Sequence, residues 1–426
     1  MSGRQATADV VVIGAGVLGA ATAYELARRG LRTAVVERGA PGREGSGTTA
    51  GNLHVQAVHT RRPGQAVPLD SRRFLPLQKA ASERWSDLEA DLEADLEVRR
   101  AGGFTVAETE GQVAELKAKS AWEAAEGIPS ELLYGPAAHT ALPALGPTVR
   151  AVNWCPLDGY ANPLLATRAY LAAAGRLGAR LLPFSPVTAL ARHGSGWRTT
   201  IPGGTLDSAA VIDVAGPWLD AVAALAGVRL RMTPVAIQMH ATVRAPVVLR
   251  HLVQHIGEGL SVKQVTAGNV LIGGGWPAGG LDLAGRSRTS THSLAGNVAQ
   301  AVRVLPSLAR LRLLRMWAGP LAATPDEMPL IGEVPGERGL YVAGGTYAFT
   351  FAPLWGETLA ALVAGERPPV AVADLGPHRL MRPEPPRPDP PRPDPARPEQ
   401  PRSDRPDRPD TPGPAPREPV DDTSGR

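Results

Sequence analysis

A chain of 426 residues, 43% of them hydrophobic, is long enough for two or three globular domains, or for two domains and a tail. Its formal charge of +4 is carried by Arg scattered among acids. Lys occurs only at Lys79, Lys117, Lys119 and Lys263, and no basic block with interleaved aromatics exists, which argues against a nucleic-acid partner. The one cysteine, Cys155, excludes an internal disulfide, a CxxC zinc site and an iron–sulfur cluster. It reads as a small packing residue in a reduced, cytoplasmic setting. No metal site is read from the sequence. There is no signal-peptide pattern, and no run of 18 apolar residues that would span a membrane.

The opening forty residues carry the strongest signal. Asp9 to Ile13 is an apolar, β-branched run that reads as a buried parallel strand. Gly14-Ala15-Gly16-Val17-Leu18-Gly19 follows at once, and then a helix to Arg29, stopped by Gly30. Arg32 to Val36 is a second strand ending in Glu37. Gly14 suits the tight strand-to-helix turn, Gly16 a close approach of backbone to a pyrophosphate, and Gly19 close packing of helix on strand. The helix N-terminus offers N–H groups to that pyrophosphate. Glu37, about 20 residues on, is placed to accept ribose hydroxyls, and Arg38 follows it. Together these predict a dinucleotide site.

The next segment, Arg38 to Gly51, reads as a Gly-rich loop centred on Ser46, Thr48, Thr49, Ala50, Gly51 and Asn52, small or hydroxylated residues able to reach phosphates or a flat ring. Residues 78 to 150 read as largely helical, with Trp85, Leu88, Leu92 and Leu96 as a core stripe at helical spacing and Gly102 to Val106 as a strand. Asp91, Glu93, Asp95 and Glu97 read as a solvated face. Asp158 to Pro163 leads into a helix, Leu164 to Leu177. Strands follow at 180–184 and 187–192, and 209–214 is another buried strand, leading into Ala215-Gly216-Pro217-Trp218. Strands at 232–244, 260–266 and 270–275, with a turn at Ala267-Gly268-Asn269, predict an antiparallel sheet, and Thr289 to Leu305 a helix over it. Gly273-Gly274-Gly275-Trp276 lacks the spacing and the acid of a second nucleotide fingerprint and reads as a strand-end turn. Residues 315–332, including Gly319, return to the first domain. Gly339 to Gly345 is a strand ending in Gly344 and Gly345, followed by a loop from Thr346 to Phe351 and a helix over 352–364. From 383 on, Pro, Arg and Asp alternate in a tail expected to stay disordered with polyproline II character.

With the glycine turn, the Ser46 to Asn52 loop and the later motifs in hand, residues 8 to 382 resemble the D-amino-acid oxidase superfamily of FAD enzymes, which includes glycine oxidase and sarcosine oxidase. The loop Thr49-Ala50-Gly51-Asn52-Leu53-His54 is most similar to the flavoprotein subunits of opine oxidase and hydrogen cyanide synthase. The resemblance implies an α/β fold: a Rossmann-like FAD-binding domain (1–78, 146–228 and 318–382) with an inserted α+β substrate domain (79–145 and 229–317) on an antiparallel sheet. It implies that residues 46–52 run past pyrophosphate and flavin, that the backbone of Val187 touches adenine, and that Ala215 and Gly216 pack on FAD. It also implies that the helix start after Gly344-Gly345-Thr346 faces the pyrimidine edge of the flavin.

The chemistry implied is hydride removal from a carbon bearing an amine, onto flavin N5, giving an imine that water hydrolyses. The motif before Thr324-Pro325-Asp326 lacks the Cys that tethers flavin in sarcosine oxidase-like members, so FAD should be noncovalent. The carboxylate-binding Arg of many members falls near Leu321, and a family Lys falls at Thr350, so the substrate anchor does not transfer. His54 is the leading candidate for a polar group over the ring, the alternative being a structural histidine bonded to backbone. Tyr347 and Thr350 join His54 as candidate catalytic residues, and Trp276 is a further pocket candidate. Lys263 could meet an anionic substrate, or simply stand on a strand surface. A partner flavoprotein and a small iron–sulfur protein are implied by the subunit-like relatives. The alternatives are a flavin-dependent 2-hydroxy-acid or polyol dehydrogenase, and a non-catalytic FAD-binding partner subunit.

Overall fold

The computed structural model describes residues 4–57, 71–282 and 286–381, so the predicted tail lies outside the described residues. Its first layer is a six-stranded sheet in the order Leu330–Glu333, Leu340–Gly344, Ala210–Asp213, Val10–Ile13, Thr33–Val36, Arg180–Leu182. All neighbours are parallel except the first pair. Both faces are covered, which explains the unbroken apolar runs. Val10 and Val12 pack into one core with the helices Val17–Arg28, Pro163–Arg176 and Ala348–Ala364, while Val11 and Ile13 pack into another beneath a four-stranded sheet that includes Gly196–Ile201. Asn162 caps Pro163–Arg176 by accepting from Leu164 N at 3.1 Å.

The second layer is an eight-stranded sheet: Leu313–Ala323, Thr233–Arg244, Asn269–Pro277, Ser261–Gln264, Leu252–His255, Gly103–Ala107, Ala151–Cys155, Glu131–Tyr134. It departs from the purely antiparallel expectation at one place. Leu252–His255, which the sequence reading missed, runs parallel to Gly103–Ala107 because the intervening chain crosses over rather than turning back. Phe104, Val106, Val152, Val253, Val262 and Ile272 face a core under the helix Thr291–Val304. On the other face lies Glu110–Ala125, opened by a capping box in which Thr109 and Gln112 satisfy each other's end of the helix. The strand Leu313–Ala323 pairs with Thr233–Arg244 along its length, so the predicted domain boundary between 317 and 318 cuts through a continuous strand.

Four local expectations shift. The stripe Trp85, Leu88, Leu92, Leu96 is buried but not on one helix: Trp85 caps the end of Leu75–Arg84, and Leu88–Leu92 is a separate short helix that ends where Glu93 adopts a left-handed conformation with φ 53°. The loop 38–51 contains a short helix, Gly45–Thr48. The helix expected from Ala352 starts at Ala348, so Pro353 falls in its second turn, where it removes one backbone donor. Gly273 to Trp276 lie inside Asn269–Pro277 rather than at its end.

The helix Ala348–Ala364 crosses Val17–Arg28 at Gly356, where an added Cβ would stand 2.8 Å from the Ala21 carbonyl carbon. Gly356→Val is expected to cost about 1–3 kcal/mol by overpacking, read as a lowered denaturation midpoint with an unchanged denaturant slope.

Candidate active site

The glycine turn is built as its spacing requires. Gly14 has φ +107°, and a Cβ there would lie 2.8 Å from Val214 O; a Cβ on Gly19 would lie 1.9 Å from Gly14 O. Gly16 caps Val17–Arg28 without a side-chain bond, and Val17 N donates instead to Ser46 Oγ at 2.8 Å. The helix start and the Gly-rich loop therefore meet. Glu37 closes the turn from the next strand: Oε2 accepts from Ala15 N at 2.9 Å and Oε1 from Gly39 N at 2.8 Å.

These groups line one end of a cavity of about 510 Å³. Val187, Ala215, Gly216 and Trp218 line the same end, with the Arg38 guanidinium 3.6 Å above the Trp218 ring. The cavity continues past Ser46, Thr49, Ala50 and Asn52 to a mostly apolar end made by His54, Ile237, Leu321, Phe349 and Thr350, with Gly344, Gly345, Thr346 and Tyr347. Tyr347 has φ +63°, an uncommon conformation for a bulky residue, and it precedes the uncapped helix start at Ala348. Its ring stands edge-to-face with His54 at 6.1 Å and with Phe74 at 5.6 Å.

The polar groups at that end are held neutral or oriented. Burial pushes the His54 imidazole down to about 3, with the Lys263 and Lys119 charges adding to the effect. Thr350 Oγ1 donates to Asn52 O at 3.0 Å. Two buried atoms here, His54 Nδ1 and Thr346 Oγ1, lack a hydrogen-bond partner, as expected of a wall that faces a ligand. A turn too tight for side chains, a ribose-type carboxylate, a helix start and these unpaired atoms fit an extended dinucleotide with a flat ring.

Most of the residues singled out from sequence meet in this one cavity. Ala15, Gly19, Thr48, Gly51 and Gly319 support it from behind: Thr48 O accepts from Trp317 Nε1 at 3.0 Å, and Gly319 abuts the Thr48 side chain. Two substrate candidates do not line it. Trp276 packs against Gly296 and sits 5.0 Å from the His292 ring, because the end of its strand lies under Thr291–Val304. Lys263 is neither on a surface nor in the cavity. It is buried, and Nζ donates to Ala50 O and, at 2.6 Å, to Asn52 Oδ1; burial holds it well below the usual lysine range. Cys155 is buried and its thiol is pushed up to about 12, which leaves it a packing residue. Arg43 and Ile237 line the cavity unanticipated. Arg43, a cation inside the Gly-rich loop, was findable, whereas Ile237 sits in a long apolar strand with no local mark.

The sheet, the glycine turn and the cavity that joins them define a dinucleotide-dependent oxidoreductase of the flavoprotein class. Residues 9–362 match the family described as FAD dependent oxidoreductase (DAO), and the chain belongs to that family. It is 31% identical to glycine oxidase from Geobacillus kaustophilus over 380 residues, 88% of this chain and 97% of that protein. It is 29% identical to hydrogen cyanide synthase subunit HcnC from Pseudomonas aeruginosa, over 89% and 97% of the two chains. The crystal structure of the Geobacillus kaustophilus glycine oxidase superposes with a TM-score of 0.79 at 27% identity, covering 88% of this chain and all of that one. The cofactor is FAD. Among the described residues no helix is long and apolar enough to cross a membrane.

Because the folded pKa of His54 lies below its unfolded value of 6.5, the unfolded chain binds the extra proton as pH falls. Stability should therefore drop between pH 6.5 and about 3, by at most about 1.4 kcal/mol per pH unit from this residue. His54→Gln should flatten that dependence in urea melts taken at successive pH values. Above pH 6.5 the two proteins should show parallel profiles.

Proposed function

We propose that the chain binds FAD noncovalently along the whole cavity and oxidises the C–N bond of a small amine or amino acid to an imine, which water then hydrolyses. The observation that carries this reading is the continuity of the cavity, from Glu37 and the glycine turn to the apolar end at His54, Tyr347 and Leu321. Glu37 would accept ribose hydroxyls. Gly14 to Leu18 and Ser46 would hold the pyrophosphate, Val187 and Ala215 to Trp218 the adenine side, and Asn52 and the start of Ala348–Ala364 the ring side. When bound, FAD supplies the two-electron acceptor that no side chain here provides.

The chain's own contribution is orientation and exclusion of water. Ile237, Leu321, Phe349 and Tyr347 make an apolar seat that favours the neutral amine, the form that gives up a hydride most readily. His54 stays neutral there, so it can present a lone pair or an N–H without adding charge beside the reacting carbon. Thr350 is spent on Asn52 O and is a positioning residue rather than a substrate contact. The similarity to glycine oxidase puts glycine and small N-substituted glycines first among substrates. The similarity to a hydrogen cyanide synthase subunit supports membership of a complex, with a second flavoprotein and a small iron–sulfur protein as the partners the family resemblance implies. A cytoplasmic location is the reading the single free cysteine supports.

The test is spectroscopic. The purified protein should be yellow, or become so with FAD, and anaerobic addition of glycine, sarcosine, proline, D-amino acids or opines should bleach the flavin band for at least one of them, with release of ammonia or amine. Reoxidation by air against reoxidation by a partner separates oxidase from dehydrogenase. Glu37→Ala should raise the FAD dissociation constant about tenfold or more, through loss of charged hydrogen bonds. A folded protein that takes up no FAD refutes the reading.

A further inference from the structure

Three consecutive backbone N–H groups just after His54 donate to buried carboxylates. Val55 N and Gln56 N reach Asp158 Oδ1 at 2.8 and 3.0 Å, and Ala57 N reaches Glu123 Oε1 at 2.8 Å. Glu123 is paired with Lys119 Nζ at 2.5 Å, one helical turn away on Glu110–Ala125, and neither side chain has any solvent exposure. The Gln56 side chain is the wedge between the two carboxylates. Its Nε2 donates to Asp158 Oδ2 at 2.8 Å and to Gly103 O at 3.0 Å; its Oε1 accepts from Lys119 Nζ at 2.7 Å and Thr105 Oγ1 at 3.1 Å. Asn153 Nδ2 completes the set on Glu123 Oε2 at 2.6 Å.

On the other side of His54, Leu53 and Asn52 pair with Gly159 and Tyr160, the residues that follow Asp158. The short stretch from 158 to 160 thus holds the chain on both sides of His54. The His54 ring has no such tether, since Nδ1 lacks a hydrogen-bond partner, so the backbone sets where the ring stands. Burying charges in this number is costly, and apolar groups of the same volume would serve stability as well or better. A fully bonded polar network instead enforces one geometry.

We infer that Asp158, backed by the Lys119–Glu123 pair, is a positioning residue for the reaction: it fixes residues 55–57 and thereby the placement of His54 at the ring end of the cavity. This rests on the reading that FAD and substrate occupy that cavity. The Asp158 network touches none of the residues at the ADP end, so binding of FAD and alignment at its ring should separate.

The experiment compares wild-type, Asp158→Asn and Asp158→Ala holoproteins. FAD affinity should stay within about twofold in both, since residues 14–46 are untouched. The visible circular dichroism of the bound flavin should change. The rate constant for anaerobic flavin reduction by the best amine should fall about tenfold or more in Asp158→Ala, with KM moved much less, as expected of a small misplacement at a reacting centre. Asp158→Asn keeps the acceptor for Val55 and Gln56 and should fall between, and it carries the test alone if the alanine variant does not fold. An unchanged dichroism and rate overturn the inference. So does a loss of FAD binding and thermal stability in step with the rate, which would mark a purely structural role. If wild-type holoprotein is reduced by no amine, the proposed function fails, while dichroism and the flavin midpoint potential still decide the role of Asp158.

Discussion

The structure depends on how one strip of chain, residues 50–57, is held where the six-stranded and eight-stranded layers meet. Its backbone carbonyls and N–H groups cannot all reach a sheet ladder, since the pairing with Gly159–Tyr160 lasts only two residues. Buried polar groups left unbonded cost about 1–3 kcal/mol each, so side chains from elsewhere take up the remainder. Lys263 covers Ala50 O and Asn52 Oδ1, Ser261 accepts from Asn52 Nδ2 at 2.8 Å, Thr350 covers Asn52 O, and Asp158 and Glu123 take the three N–H groups after His54. Among these partners, Lys263 and Ser261 come from the eight-stranded sheet, Thr350 from the last long helix and Glu123 from the helix Glu110–Ala125, so the strip ties all three together.

This arrangement explains an otherwise puzzling interior. Lys119, Glu123, Asp158, Asp213 and Lys263 are all buried, far more ionisable groups than a core of this kind needs. Burial raises the carboxyl pKa of Asp158 and Asp213 and lowers that of Lys263. For Asp158, the N–H groups of Gln56 and Val55 pull in the opposite direction, and with donors on both oxygens the carboxylate is the form its partners are arranged for. Asp213 ends the strand before Ala215, and its Oδ1 accepts from Ala215 N at 3.0 Å, so it shapes the turn that lines the cavity beside Val187 and Trp218. The charges sit behind the cavity and shape the backbone that forms it, while the wall at the ring end is apolar or neutral.

The two ends of the cavity thus differ in how they are made. The glycine-turn end is local: a glycine turn, a helix start and an acid at the end of the next strand, all within the first forty residues. The ring end is assembled from His54, Ile237, Leu321 and Tyr347, which come from four distant parts of the chain. Membership of the FAD dependent oxidoreductase family accounts for the first end. The second end carries no charged side chain among these four residues, and Leu321 presents an apolar side chain there.

The dinucleotide turn, the strand and helix order of the first layer and many of the residues that line the cavity were legible in the sequence, because each depends on neighbours within a few residues: a β-branched run, a glycine where φ is positive, an acid at a strand end. The helix starts and ends misread near Leu92 and Ala348 were set by a left-handed Glu93 and Tyr347, conformations that tertiary contacts impose against local preference. Trp276 and Lys263 looked like pocket residues by type, but a period-two strand does not reveal which face the fold will cover or what will lie against it. Likewise nothing local in Lys119, Glu123 or Asp158 announces that they converge on Gln56. That convergence joins the strip to residues between 63 and 102 positions away, and only packing the helix Glu110–Ala125 against the strip that carries His54 brings it about.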